Sequence, residues 1–306
     1  MTQWKPPFFS IIIPTYNRPE ALAVCLRGLT GLDYPKDDLE VIVVDDGGAS
    51  LLDGIVAAFR ERLNVTLLSQ ENAGATTARN TGAAAAKGKY LVFTDDDCEF
   101  APDWLQTLAA RFQASPRAMI GGAVQNKLPD NIASTASHLL LKFVLEYYNE
   151  GGDRTGFLSG NNHALPAAGF RAIGGFNERF PPGIGADDRE LCDRWIDFGH
   201  PLVYAPEVRI YHPYVYTLRG FMRQHFKNGR GAWYFRQIRA ERNRRVEVEP
   251  LHAFYGKLLR YPLDQKCGRK TPLFVFLLIV SQMANVSGFF WEELLHRKEI
   301  PDREGL

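Results

Sequence analysis

The chain has 306 residues, 45% of them hydrophobic and 23% charged, a balance that excludes a disordered polymer and fits a folded α/β-sized protein. Its formal net charge of +1 offers no bulk attraction to a polyanion, so no nucleic-acid partner is expected. In chain order, "FFSIIIPTYNR" predicts a β-strand ended by Pro14, and "PEALAVCLRGLT" a helix with Pro19 near its start. "LEVIVVDDGG" is a second apolar strand closed by Asp45-Asp46-Gly47-Gly48, followed by a helix over "LLDGIVAAFRERL" and a strand over "NVTLLSQ". "GATTARNTGAAAAKG" predicts a third helix stopped by Gly88, then "KYLVFTDDD" a fourth strand and "APDWLQTLAARFQAS" a fourth helix. Beyond these, "AMIGGAVQN" reads as a strand and "SHLLLKFVLEYYNEG" as an amphipathic helix. "GFLSGNNHALPAAGFRAIGGFNERF" begins with a strand and turn, then a short helix and a Gly-Gly turn. "DDRELCDRWIDFG" predicts a helix and "PLVYAPEVRIYHP" a strand pair, with helices from about residue 218 onward.

Strands that are apolar throughout and separated by helices imply an α/β fold whose central sheet is mostly parallel and flanked by helices. One unit is expected over 1–217, with halves at about 8–115 and 116–217, and a helical, basic-aromatic extension over 218–306. Ligands of such sheets bind beyond the carboxyl ends of the strands. Thr15-Tyr16-Asn17-Arg18, Asp45-Asp46 and Asp95-Asp96-Asp97 all fall at such ends, which describes one rim.

Three adjacent carboxylates repel one another unless something cationic meets them. Asp95-x-Asp97 places hard oxygen ligands where Mg²⁺ or Mn²⁺ bridges a protein to a diphosphate. No Walker A or GxGxxG sequence comes after the first strand, so phosphate donors must come from elsewhere, with Arg79 and the later arginines as candidates. Tyr16 beside Asp46 suits a nucleobase bearing an N–H, such as uracil or thymine, although a lone Tyr16 reads equally as a packing aromatic. Asp187-Asp188 opens a helix after "PPGIGA" and is either an N-cap or a general base at a mobile edge. His163 and His212 are each open to a structural reading, and His212, just beyond a predicted strand, is also a candidate third metal ligand or phosphate contact.

Four cysteines (Cys25, Cys98, Cys192, Cys267) lack zinc or CxxC spacing and read as reduced, mostly buried thiols. With no secretory signal in "MTQWKPPFFS", the expected location is cytoplasmic. From Arg219 to Arg245, nine cations (Arg219, Arg223, Lys227, Arg230, Arg236, Arg239, Arg242, Arg244, Arg245) interleave with Phe221, Phe226, Trp233, Tyr234 and Phe235. That pattern suits either a packed helix or peripheral contact with the inner face of a membrane. "PLFVFLLIVSQMANVSGFFWEELL" (272–295) has a leading run too short to span and is then interrupted by Ser281, Gln282, Asn285 and Ser287, which favours a buried or interface-lying helix.

Together, "SIIIPTYNRPEALAVCLRGL", "VIVVDDGG", "NAGATTARNTGAAAAKGKYLVFTDDD", "SGNNHALPAAGFRAIGGFNERF" and "DDRELCDRWIDFGH" resemble the family 2 glycosyltransferases, in order and spacing, from residue 8 to about 215. The resemblance implies an inverting enzyme on the type A nucleotide-sugar-binding, Rossmann-like fold, using a divalent metal and a UDP- or dTDP-type donor. Thr15 and Tyr16 would line the nucleobase pocket with Arg18 nearby, and Asp46 would bond the base. Arg79 would lie near the diphosphate, Asp95 and Asp96 near ribose and sugar, and Asp97 on the metal. Asn161 and Asn162, with Gly160 and the Gly174-Gly175-Phe176 turn, would shape the donor-sugar and acceptor region. Asp188 would be the base. The chain departs from the family in having Asp187-Asp188 for Glu-Asp and "DDGG" for "DDGS", and it lacks the Gln-x-x-Arg-Trp motif of processive synthases. The missing motif implies a single addition to a glycan or other acceptor, and the basic-aromatic stretch, where it meets a membrane, implies a lipid-linked or membrane-proximal one. Two alternatives remain: a sugar nucleotidyltransferase, disfavoured because "PTYNRPE" is not a Gly-rich loop with Arg and Lys, and an inactive nucleotide- or glycan-binding protein.

Overall fold

The computed structural model describes residues 6–49, 51–149, 156–242 and 251–297. The first half runs β1 (Phe9–Thr15), α1 (Pro19–Leu29), β2 (Leu39–Asp45), α2 (Asp53–Ala57), β3 (Val65–Ser69), α3 (Ala75–Ala85) and β4 (Tyr90–Phe93). It continues with β5 (Glu99–Phe100), α4 (Trp104–Ala114), β6 (Met119–Asn126) and α5 (Ile132–Asn149). Then come β7 (His163–Pro166), α6 (Ala167–Ala172), α7 (Asp187–Asp197), β8 (Leu202–His212), α8 (Leu218–Glu241), α9 (Leu251–Asp264) and α10 (Thr271–Arg297). The strands form one sheet in the order β3-β2-β1-β4-β7-β6-β8-β5.

The first four neighbours are parallel, as the uniformly apolar strands predict. Along β1, Ile11 and Ile13 enter a core with Leu22, Leu26, Trp104 and Phe112, while Ile12 enters the opposite core with Phe93, Phe170 and Trp195. Alternate side chains of one strand therefore anchor helices on both faces. β7 is inserted antiparallel between β4 and β6, and β8 returns parallel to β6. The carboxyl ends of β1, β2, β4 and β8 and the start of β7 consequently meet at one edge.

Local expectations fail where a second constraint acts. The helix expected over "LLDGIVAAFRERL" is five residues long, with Val56 its only buried side chain, too little tertiary anchoring for more turns. The strand pair expected at "PLVYAPEVRIYHP" is the single strand β8, whose register jumps from Ala205 to Arg209, so Pro206 sits in the irregularity and owes no ladder bond. The turn at Gly160 precedes β7 rather than coming after a strand. α3 ends at Ala85, three residues before Gly88, whose place is set by contact: a Cβ there would lie 2.5 Å from the Ser10 amide.

α8 begins at the expected boundary, yet it is packed into the fold. A Cβ on Gly231 would lie 1.9 Å from the Gly185 oxygen, so α8 presses its backbone on the loop before α7. Arg239 and Arg242 pair with Asp193 of α7 at 3.4 and 2.7 Å, and Arg230 pairs with buried Glu292 of α10. Phe221, Trp233 and Phe235 are buried. Arg230, Arg239 and Arg242 and the aromatics Phe221, Trp233 and Phe235 are thus packed, as the first of the two readings has it, while Arg219, Arg223 and Arg236 stay exposed; Arg244 and Arg245 lie outside the described residues. α5 shares a core with α9 and α10 through Phe143, Leu258 and Leu277.

Residues 271–297 form one helix, as expected, and the whole of it is long and apolar enough by length and composition to cross a membrane, more than its leading run alone suggests. Ser281 and Ser287 donate to the Leu278 and Met283 carbonyls, so neither hydroxyl breaks it. One face (Phe274, Leu277, Leu278, Ser281, Gly288, Glu292) is buried. The other exposes Phe276, Ile279, Met283, Val286, Phe290, Trp291 and Leu294 at helical spacing.

Candidate active site

Each carboxylate of the Asp95-Asp96-Asp97 turn meets a different partner. Thr15 Oγ1, at the end of β1, donates to Asp96 Oδ2 at 2.7 Å, and Arg18 donates to Asp96 Oδ1 at 2.7 Å. Arg18 also reaches Asp97. Burial, opposed by Arg18 and Thr15, pushes the Asp96 carboxyl up to about 6. For Asp97, burial alone would raise the value, but His212 and Arg18 outweigh it and hold the group at about 2. Arg79, on α3, donates to Asp95 Oδ1 at 2.9 Å and to Asp187 Oδ2 at 3.0 Å, joining the triplet to the start of α7.

Asp187 and Asp188 are thereby separated in chemistry. Asp187 is buried and held by Arg79 and by Thr76 Oγ1 at 3.2 Å. Asp188 accepts from the Gly160 amide at 3.0 Å and the Arg189 amide at 2.8 Å. Burial, then the neighbouring Asp187 charge, push the Asp188 carboxyl up to about 6. The preceding Ala186 has φ 82, a left-handed conformation that costs a non-glycine residue about 1–2 kcal/mol and that α8 and the loop hold in place.

Asp97, Cys98 and His212 bring one ligand atom each within 4.8 Å of one another. His212 Nε2 lies 3.0 Å from Asp97 Oδ1, yet that oxygen and His212 Nδ1 are buried without a hydrogen-bond partner. Burial pushes the Cys98 thiol well above its usual range, so it offers no thiolate. A carboxylate oxygen met only by an imidazole fits a hard divalent cation. Asp95, expected as a second ligand, is outside this group and turned onto Arg79.

Other expected contacts are displaced. Arg79 is 8% exposed and spent on two carboxylates, so it bridges the acids instead of standing open to a diphosphate. Asn162 is 1% exposed; it accepts from Trp104 Nε1 and donates to the Ala123 and Val208 carbonyls. It stitches the β8 irregularity to β6 and α4, leaving no amide proton for a sugar. Asn161 is buried and accepts from Ser159 Oγ at 2.8 Å. Asp46 accepts from Gln70 Nε2, the Ala73 amide and the Gly74 amide at 2.8–2.9 Å, so it fixes the segment entering α3. Tyr16 remains 49% exposed at the rim.

Sequence reasoning missed Gln70 and Thr76, and gave Asn17 no role beyond its place on the rim. Asn17, at φ 53, accepts from the Ala49 amide and ties the first strand-end turn to the second. Its position in "TYNRP" is a turn signal, since asparagine tolerates that conformation; Gln70 and Thr76 carry no such signal.

The sequence model described as "Glycosyl transferase family 2" matches residues 10–173. "Glycosyltransferase AglE" of Haloferax volcanii is 28% identical over 286 residues, 90% of this chain and 91% of its own length. "Validoxylamine A glucosyltransferase" of Streptomyces hygroscopicus subsp. limoneus is 30% identical over 66% of this chain and 50% of its own length. Among solved structures, mannosyltransferase PcManGT from Pyrobaculum calidifontis, in complex with GDP-Man and Mn²⁺, superposes with a TM-score of 0.67 at 19% identity, covering 94% of this chain and 88% of that one. Staphylococcus aureus TarS 1–349 with UDP-GlcNAc gives 0.56 at 17% identity, covering 97% and 93%. These two likenesses show the fold.

Proposed function

The chain belongs to glycosyl transferase family 2, and we propose that it is an inverting, metal-dependent member that moves a sugar from a UDP- or dTDP-type donor to an acceptor hydroxyl in one displacement. The observation that carries this reading is the division between the two acids opening α7. Asp187 is neutralised by Arg79, while Asp188 is held by backbone amides alone and carries a raised carboxyl pKa of about 6. A base poised near neutral pH accepts a proton efficiently and still releases it.

Asp97 and His212 are the residues that would hold Mg²⁺ or Mn²⁺, which supplies Lewis-acid neutralisation of the charge on the leaving diphosphate. Thr15, Tyr16 and the loop fixed by Asp46 frame the nucleobase. Asp95 and Asp96, locked by Arg79 and Arg18, orient ribose and sugar. Asp188 takes the proton of the acceptor hydroxyl as that oxygen bonds to the anomeric carbon. The bond from the anomeric carbon to the diphosphate oxygen breaks on the opposite face, the nucleoside diphosphate leaves, and the sugar's configuration inverts. The TarS complex with UDP-GlcNAc, which shares the fold, supports a nucleotide-sugar donor. The reading is tested by incubating the protein with a panel of UDP-, dTDP- and GDP-sugars. Mn²⁺-dependent release of nucleoside diphosphate is expected, abolished by EDTA; full release in EDTA would remove the metal from the mechanism.

The exposed face of α10 is proposed to lie on the inner surface of an anionic membrane. Helix α9 and the segment leading into α10 expose Lys257, Arg260, Lys266, Arg269 and Lys270, with Asp264 the one exposed acid among those described residues. An apolar stripe beside such cations matches an interfacial helix, and the buried face, committed to α8 and α9, argues against a lone span. In flotation with phosphatidylglycerol vesicles the protein should rise with the lipid, and Phe276→Ser/Met283→Ser should stay below. A wild-type protein that remains in the lower fraction would contradict the contact.

A further inference from the structure

We infer that the cavity at the start of α8 binds a phosphate group carried by the acceptor, an inference that rests on the transferase reading above. The cavity, of about 320 Å³, is lined by Val215, Tyr216, Gly220, Arg223, Gln224 and Lys227. Arg223 and Lys227 stand four residues apart, on one face of the helix. Neither meets a carboxylate among the described residues, whereas Arg230, Arg239 and Arg242 further along α8 all do. Adjacent unneutralised cations repel each other, and an anion placed between them relieves that repulsion. Gly220, in the first turn, adds the positive end of a 24-residue helix whose cap is made by Thr217 Oγ1 accepting from the Gly220 amide at 3.1 Å. Guanidinium, ammonium and the positive end of the helix together match a phosphate, and Gln224, whose Nε2 donates to Asn228 Oδ1 at 3.0 Å, lines the same wall.

The cavity sits between the two halves of the site. On one side the Tyr214 ring lies 4.2 Å from that of His212 and 6.0 Å from that of Tyr216, so the aromatic wall is continuous from the Asp97–His212 pair to the cavity. On the other side the Lys227 ammonium lies 3.4 Å from where a Cβ on Gly183 would be, against the loop that ends in Asp187-Asp188. A phosphate held here is on the approach to Asp188, and the donor diphosphate is served separately at Asp97 and His212. The lip is apolar: Val215 is 77% exposed, and Leu218 (55%) and Met222 (44%) lie one turn apart on α8. A cationic pocket with an apolar lip suits a phosphate ester with a hydrocarbon substituent, and a water-soluble phosphate ester shares the anionic chemistry.

The test is calorimetric titration of the full chain with dodecyl phosphate below its micelle concentration and with inorganic phosphate, each with and without saturating UDP and Mn²⁺. Binding that persists with UDP present is expected, weakened about tenfold for each cation removed in Arg223→Ala/Lys227→Ala and restored in Arg223→Lys/Lys227→Arg. Tighter binding of dodecyl phosphate assigns a lipid-linked source, and equal binding assigns a soluble phosphate ester. No binding of either probe, unchanged binding in the double alanine variant, or displacement by UDP overturns the inference. Donor hydrolysis by the unaltered chain reports on the transferase reading separately, so the two can fail independently.

Discussion

Asp188→Asn is expected to lower turnover by about 10²–10⁴-fold while UDP binding in Mn²⁺ is unchanged. The amide keeps an oxygen for the Gly160 hydrogen bond but cannot take the acceptor's proton. In the unaltered chain, burial and then Asp187 raise the Asp188 carboxyl to about 6, and the ionised form is the active one. Turnover therefore falls about tenfold per pH unit below 6 and is flat above it. The stability consequence has the opposite sign. A carboxyl whose folded pKa exceeds its unfolded value favours the fold at low pH, and that contribution is lost as pH rises through about 6. The Asn variant, which gives up one of the two amide bonds, should lack the parent's fall in melting temperature as pH rises through about 6, while being nearly inactive. A variant with parental turnover would remove Asp188 from the chemistry, and one that loses UDP binding would make it a structural residue.

Arg79→Ala should cost about 3–5 kcal/mol of stability, because it strips the counter-charge from buried Asp187 and from Asp95. The urea midpoint is the readout. Adding Asp187→Asn should recover part of the loss, since the acid left without a partner is then gone, and the non-additivity measures their coupling. An unchanged midpoint in Arg79→Ala would mean that solvent or Thr76 already compensates Asp187. The expected coupling explains why Arg79 is better placed as a positioning residue than as a phosphate ligand.

The rim is legible in the sequence because its signal is short-range. Apolar runs such as "SIIIP" and "LEVIVV" become fully buried strands, and the polar residues after each run stand at the carboxyl edge by construction. The roles of individual residues are less accessible, since they depend on partners distant in the chain. Arg79 meets Asp187 across 108 positions, and Asn162 is withdrawn from the site by an irregularity in β8 that no periodicity announces. Of the two readings open for the C-terminal stretch, the packed one rests on the same kind of distant partner. Arginines spaced along α8 look solvated in sequence, but Arg239 and Arg242 find carboxylates on α7, and Gly231 lets the helix close on the loop that presents Asp188. The polar residues of α10 are accommodated within the expected helix, because Ser281 and Ser287 bond its own carbonyls. Three acids that look like one cluster separate into Asp97 beside His212, a clamp at Asp96 and a bridge through Asp95 to α7.

Single displacement assisted by Asp188 is tested most directly by proton NMR of the sugar released when the protein hydrolyses an α-linked nucleotide-sugar donor with Mn²⁺ above pH 6. Water then stands in for the acceptor, and spectra in the first minutes precede mutarotation. Early appearance of the β anomer is the expected result. Early appearance of the α anomer would contradict inversion and require a mechanism in which Asp188 is not the base of a single displacement.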